Sequence, residues 1–258
     1  MALTDVESGT RTVTIDCFPE SLSRYQTGHA VVAVDVIRAT TTAVTAVVGG
    51  WRCFPASSIE AAVELARGWE DALLVGELGG HTPYGFHLTN SPVEFAAPQK
   101  GGGRPIILLS TSGTRLLCEA SQDVAAYAAC LRNVTAQAET LVARHRRVAI
   151  VGAGARGEFR VEDQLACAWI ATLLVDAGYE PLGRTAEIIR RWKAAPVETI
   201  VQGNSAAFLR RTDQVRDLEY VLSHIDDVHT SFEMRGAELI SELTKVRSPS
   251  IARCSDVS

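Results

Sequence analysis

The chain has 258 residues, a formal net charge of −5, and 47% apolar residues. That is room for one large α/β domain or two modest ones, with a core that needs no disulfide or metal staple. The acidic balance excludes a general nucleic-acid binder, which needs a basic face. Six scattered cysteines without a Cys-x-x-Cys pair read as reduced thiols in a cytoplasmic protein. The polar start "MALTDVESGTRTVT" is no signal peptide, and no apolar run reaches the roughly 20 residues of a membrane helix.

In chain order, short β-branched runs predict strands at "TVTIDCF", "HAVVAVDV", "WRCFPA", "ALLVGE", "PIILLST", "DVAAYAA" and "RVAIVGA". Helix-period segments fall between them: "TTTAVTAVV", "SIEAAVELARGW", "NVTAQAETLVARH" and "EDQLACAWIATLLVDAG". Gly49–Gly50 and Gly178 are expected to stop two of these helices. The alternation predicts an α/β fold, a largely parallel or mixed sheet with helices on both faces. After Tyr179 charge rises and strands fade, so a helical C-terminal portion is expected over 181–247, closing with a short β-like "DVHTSFEMR". Residues 1–247 are read as one domain with its core at 12–180, and 248–258 as a disordered tail.

Four clusters lie just after predicted strands, where open α/β sheets place their ligands. In "DVIRATTTAVTAVVGG", Asp35 ends a buried strand and Arg38 with Thr40, Thr41 and Thr42 opens a helix. A helix N-terminus with hydroxyls and a guanidinium suits an anion; the plainer reading is a Thr40 cap and an Asp35–Arg38 pair. In "LLVGELGG", Glu77 among glycines suits a hard cation such as Mg²⁺, or is an ordinary turn glutamate. "GFHLTNSP" offers Asn90 and Ser91, the latter also placed to cap at Pro92. "STSGT" offers Thr111, Ser112, Gly113 and Thr114 as an anion nest.

The fourth cluster, "VAIVGAGARGEFRVED", admits two readings. Gly152, Gly154 and Gly157 match a dinucleotide-binding G-x-G-x-x-G after a strand. Against that, Glu158 and Phe159 follow where small helix residues belong, the helix starts late near Val161, and no second strand ends in an acidic ribose-binding residue. The other reading gathers Glu158, Glu162 and Asp163 as carboxylates at a helix mouth. A stabilised helix dipole accounts for one of them. No P-loop, nucleophile elbow or paired metal-binding histidines are present, and Cys118 and Cys167 read as core.

Taken together, "DVIRATTTAVTAVVGG", "GELGG", "GFHLTNSP", "STSGT" and "GEFRVED" resemble the 2-phosphosulfolactate phosphatase family, in its order and at similar spacing. The likeness runs over about residues 29–180, with a fainter echo in "DLEYVLSHIDDV". It implies a Mg²⁺-dependent phosphomonoester hydrolase acting on a small anionic phosphorylated substrate, with no nucleic-acid or membrane partner and a homodimer left open. Three positions depart from the family pattern: His87 stands for an acid, Thr89 for Gly and Ser112 for Asn. These leave room for another substrate, as in a related phosphatase of secondary metabolism, or for a non-catalytic anion binder.

The resulting expectation places Asp35, Arg38, Glu77 and Glu158 in catalysis. Asp35, Glu77, Glu158, Glu162 and Asp163 are expected around one Mg²⁺, with the Thr40–Thr42 and Thr111–Thr114 hydroxyls, Asn90 and Ser91 on the substrate. With no D-x-D-x-T signature, metal-activated water is favoured over an aspartyl intermediate.

Overall fold

The computed structural model describes residues 9–25, 27–97, 101–154 and 158–242; the tail expected at 248–258 lies outside them. All seven predicted strands form: β1 (Thr12–Asp16), β2 (Ala30–Val34), β3 (Arg52–Ala56), β4 (Leu73–Gly76), β5 (Pro105–Leu109), β6 (Ala125–Ala129) and β7 (Arg147–Gly152). So do the four predicted helices, which with one unanticipated helix, α3, are α1 (Ala39–Val48), α2 (Ile59–Ala66), α3 (Gly113–Ala120), α4 (Val134–Arg144) and α5 (Val161–Asp176). The eight-residue α3 follows the "STSGT" turn, whose Gly and hydroxyls mask its helical start. Its apolar residues Leu116, Leu117 and Ala120 are buried.

Beyond Tyr179 come the two-residue β8 (Glu180–Pro181), then α6 (Thr185–Trp192), α7 (Asn204–Arg211) and α8 (Val215–Ser223). The chain then returns as a hairpin, β9 (Phe232–Arg235) and β10 (Glu238–Ser241). The expected β-like "DVHTSFEMR" does carry a strand, β9, while β10 was not anticipated, and the two enter the middle of the sheet. At four residues, β10 is too short to stand out as a period-2 run.

The sheet has ten strands in the order β4-β5-β3-β10-β9-β6-β2-β7-β1-β8. Pairing is parallel within β4-β5-β3 and within β6-β2-β7-β1-β8. It is antiparallel at β3–β10, β10–β9 and β9–β6. The hairpin thus joins two parallel halves that run in opposite senses. Each step adds roughly 20–25° of twist, so the six steps from β4 to β2 turn the strand direction by about 120–150° and swing the two sets of C-terminal ends toward each other.

Helices α1 and α3 pack on one face of the sheet. Val31 and Ala33 of β2 share one core with Val44 of α1, Leu116 of α3, Ile106 and Leu108 of β5 and Phe232 of β9. Val32 and Val34 point the other way, into a core with Leu165 and Ile170 of α5 and Leu141 of α4. Helix α2 covers Phe54 and Ile107 on the outer face of the smaller half. Burial on both faces explains why β2, "AVVAV", is buried throughout rather than alternating. Among the described residues no helix is long and apolar enough to cross a membrane.

Candidate active site

The ends of β2, β4, β5 and β7 open into a cavity of about 460 Å³. Asp35, Arg38, Glu77, Asn90, Thr111, Ser112, Glu158 and Asp163 all line it, so the separate clusters do converge. Asp35 leaves β2, and its Oδ1 accepts the Ala39 N–H at the start of α1 at 3.2 Å. Gly113 of α3 lies so close that a Cβ there would stand 2.3 Å from Asp35 Oδ2 and 2.8 Å from Ala39 Cβ. Asp163, in the first turn of α5, accepts the Val36 N–H at 2.8 Å. Neighbouring strand ends are thereby stitched to one another by the carboxylates themselves.

Burial pushes the Asp35 carboxyl up to about 7, with Glu77 and Glu162 adding like charge and the Ala39 N–H and Arg160 opposing the rise. Burial raises Asp163 well above the usual carboxylate range, and Asp35 and Glu162 push it further. Glu162 is raised too, by burial first, with Ser205 and Arg160 offsetting part of it. Its two carboxylate oxygens are buried without a hydrogen bond of ordinary geometry, close behind Gly203, where a Cβ would lie 3.1 Å from Oε2. A buried acid is costly, and three that repel one another more so.

Other acids of the cavity are already engaged. Glu77 accepts the Gly80 N–H at 2.7 Å and both the N–H and hydroxyl of Thr111 at 2.8 Å. It ties the β4 loop to the β5 loop. Glu158 is exposed and accepts from Asn204 Nδ2 at 3.1 Å. Among the described residues no group of three or more His, Cys, Asp or Glu side chains is arranged to hold a metal ion. The five carboxylates expected around one ion are therefore divided between a buried trio, a loop clasp and a rim.

The threonine cradle does not form. Thr40, Thr41 and Thr42 are 0%, 1% and 0% exposed. Thr40 accepts the Asp35 N–H at 3.0 Å and donates to the Asp35 carbonyl at 2.8 Å, while Thr41 donates to the Val36 carbonyl at 2.7 Å. Helix α1 already begins at Ala39 with Arg38 at the cap position, so the Thr40 and Thr41 hydroxyls hold the Asp35–Val36 turn, while the buried Thr42 hydroxyl has no hydrogen-bond partner among the described residues. The same correction applies to Ser91 and Thr114. Ser91 donates to Asp217 Oδ1 at 2.5 Å and makes no cap bond; Thr114 is buried, with its hydroxyl accepting the Ser110 N–H at 2.8 Å.

Nor does Arg38 pair with Asp35. It reaches across to Asp217 and Gln214 of the α8 region, and the Arg38–Asp217 pair is almost fully buried. His87, where the sequence departs from its resemblance, accepts the Leu74 N–H at Nδ1 (2.9 Å), a structural role along β4. The glycines of the G-x-G-x-x-G match pack against the chain itself. A Cβ on Gly154 would stand 2.3 Å from the Cys17 carbonyl and 2.9 Å from that of Glu158; Gly157 lies outside the described residues. Those contacts fill the close-approach space that a pyrophosphate would need.

Several cavity residues went unforeseen: Arg160, Asn204, Ser205, Phe208 and Arg211. Arg160 sits inside "GEFRVED", and Asp217 opens "DLEYVLSHIDDV", so both had a motif to announce them. Helix α7 had none, being an ordinary amphipathic stretch until the fold lays it over the cavity.

The model of the 2-phosphosulpholactate phosphatase family matches residues 17–230. Proteins each named "Probable 2-phosphosulfolactate phosphatase" are similar: 37% identity to that of Carboxydothermus hydrogenoformans over 62% of this chain and 66% of the relative, and 38% to that of Pseudothermotoga lettingae over 61% and 66%. That of Deinococcus radiodurans is 34% identical over 72% of this chain and 80% of its own. The match to the first two spans just under two thirds of their length. The chain belongs to the 2-phosphosulpholactate phosphatase family.

Proposed function

We propose that the protein is a phosphoric monoester hydrolase that removes phosphate from 2-phosphosulfolactate or a closely similar acidic phosphomonoester, with Mg²⁺ as its cofactor. The observation that carries this reading is the pair of buried acids Asp35 and Asp163 lining one cavity with Arg38 and Arg160, with Glu162 buried behind them. The names of the relatives support the substrate class.

The residues fit a Mg²⁺ ion. Its donors are hard oxygens; it needs only one or two carboxylates and keeps waters and substrate oxygens as its other ligands. The mutual repulsion of Asp35, Asp163 and Glu162 supplies the demand for positive charge. Asp35 and Asp163, which line the cavity, would hold it. When bound, such an ion neutralises phosphoryl oxygens and lowers the pKa of a coordinated water.

The chain's own part is placement and charge. Arg38, locked by Asp217, and Arg160 face the equatorial oxygens of a phosphoryl group, where developing charge is stabilised by fixed donors. Ser112, the cap residue of α3, lines the same space beside Thr111, whose N–H and hydroxyl are held by Glu77. Asp35, its Oδ1 fixed by the Ala39 N–H at 3.2 Å, is placed to orient an attacking water toward the phosphorus.

A panel of phosphomonoesters with and without Mg²⁺ tests this. The expected result is Mg²⁺-dependent phosphate release from 2-phosphosulfolactate, with sugar and nucleotide phosphates much slower. Tight calorimetric binding of NAD(P) without phosphate release from any member would refute it.

A further inference from the structure

Arg160 and Arg211 line the cavity, and among the described residues neither side chain makes an ion pair or hydrogen bond. They differ in place. Arg160 stands beside the buried acids and lowers all three. Arg211 is the last residue of α7, exposed at the rim.

We infer that Arg211 is a specificity-determining residue that binds the sulfonate, the acidic group farthest from the reacting phosphorus. This rests on the function proposed above. In 2-phosphosulfolactate the carboxylate is carried directly on the carbon bearing the phosphate ester, and the sulfonate one carbon further out. A phosphate seated among Asp35, Asp163 and Arg160 therefore directs the sulfonate toward the mouth.

Arg211 is held there by a short chain of contacts. Asn204, Ser205, Phe208 and Arg211 share the cavity-facing side of α7. The Phe208 ring presses on Gly80, where a Cβ would lie 2.4 Å from its Cζ, and Gly80 has φ +88°. The Gly80 N–H in turn donates to Glu77 at 2.7 Å. The Arg211 guanidinium carbon stands 5.7 Å from the Phe208 ring centroid. Glu77 thus fixes the loop, the loop fixes Phe208, and the Phe208 ring backs the rim cation.

The test compares 2-phosphosulfolactate with 2-phospholactate, which has a methyl group in place of the sulfonated methylene. Arg211→Gln should raise KM for 2-phosphosulfolactate by about 10–100-fold, the usual weight of a charge-assisted contact. KM for 2-phospholactate should change by only a few-fold, kcat should move little, and Arg211→Lys should recover part of the loss. Equal losses on the two substrates, or none, overturn the assignment.

Should the wild-type protein hydrolyse neither compound, the proposed function fails and calorimetry with sulfolactate decides the site. Binding weakened by Arg211→Gln upholds the assignment, and binding that is absent or unchanged in the variant refutes it.

Discussion

The Asp217 carboxylate holds Arg38 against the cavity wall with both side chains about 95% buried. It is held in turn by the Ser91 hydroxyl at 2.5 Å. Three segments far apart in sequence, residues 38, 91 and 217, thus meet in one buried polar knot. Removing one partner of a buried pair leaves the other charge stranded. Asp217→Ala should cost about 3–5 kcal/mol of stability by urea unfolding. Ser91→Ala, which removes one hydrogen bond to a charged acceptor, should cost about 1.5–3 kcal/mol. Both should lower kcat/KM, because Arg38 is no longer fixed; a fully active Asp217→Ala would detach Arg38 from the site.

Gly113→Ala probes the contact between α3 and Asp35. The added Cβ would fall 2.3 Å from Asp35 Oδ2 with Ala39 on its other side, so the carboxylate or the helix must shift. Overpacking of this kind costs about 1–3 kcal/mol, and a displacement of about 1 Å at a reacting group is worth on the order of a hundredfold in rate. Steady-state kinetics and a melting curve would show both effects together.

Thr41→Val separates a structural threonine from a phosphate ligand. The 2.7 Å bond to the Val36 carbonyl is lost, with an expected cost of about 1–2 kcal/mol. KM should stay within about twofold, since no substrate contact is removed. A tenfold rise in KM with unchanged stability would restore the cradle.

The pH dependence of stability follows from the Asp35 carboxyl, raised from 3.8 to about 7 by burial. The folded state binds this proton more tightly than the unfolded chain does. The stabilisation is therefore complete below about pH 4 and is lost as pH rises through about 7. With metal chelated by EDTA, the part of the stability due to Asp35 should decline between about pH 4 and 8, and Asp163 and Glu162, also raised, should act in the same direction. Asp35→Asn should flatten that decline, gaining on the order of 1–2 kcal/mol at pH 8, while abolishing hydrolysis. Urea midpoints measured across this range provide the check.

Metal binding has its own readout. A ligand bound only by the folded state at a hundred times its Kd stabilises by about 2.7 kcal/mol. Millimolar Mg²⁺ should therefore raise the wild-type melting temperature. Asp163→Asn should be at least as stable as wild type without metal, because a repelled buried charge is gone, and should lose most of the rise. An equal rise in both proteins would remove Asp163 from the metal site.

The local sequence determined a good deal by itself. "AVVAV" can be nothing but a doubly covered strand, Ser58 caps α2 by accepting the Ala61 N–H at 3.1 Å, and Gly178, at φ +89°, ends α5. Asp35, Glu77 and the acids of "GEFRVED" were legible because polar residues at the ends of apolar strands have no reason in packing to be there. What the sequence could not decide was direction and distance. A threonine side chain facing a ligand and one folded back on its own turn have the same spelling, so Thr40 and Thr41 turned inward only once the Asp35–Val36 turn required their hydroxyls. The reach of Arg38 to Asp217 spans 179 residues, and the seat of α7 over the cavity depends on Phe208 meeting Gly80, a residue far earlier in the chain. They exist only because the four-residue strands of the last hairpin join two opposed half-sheets, whose accumulated twist brings the strand ends together.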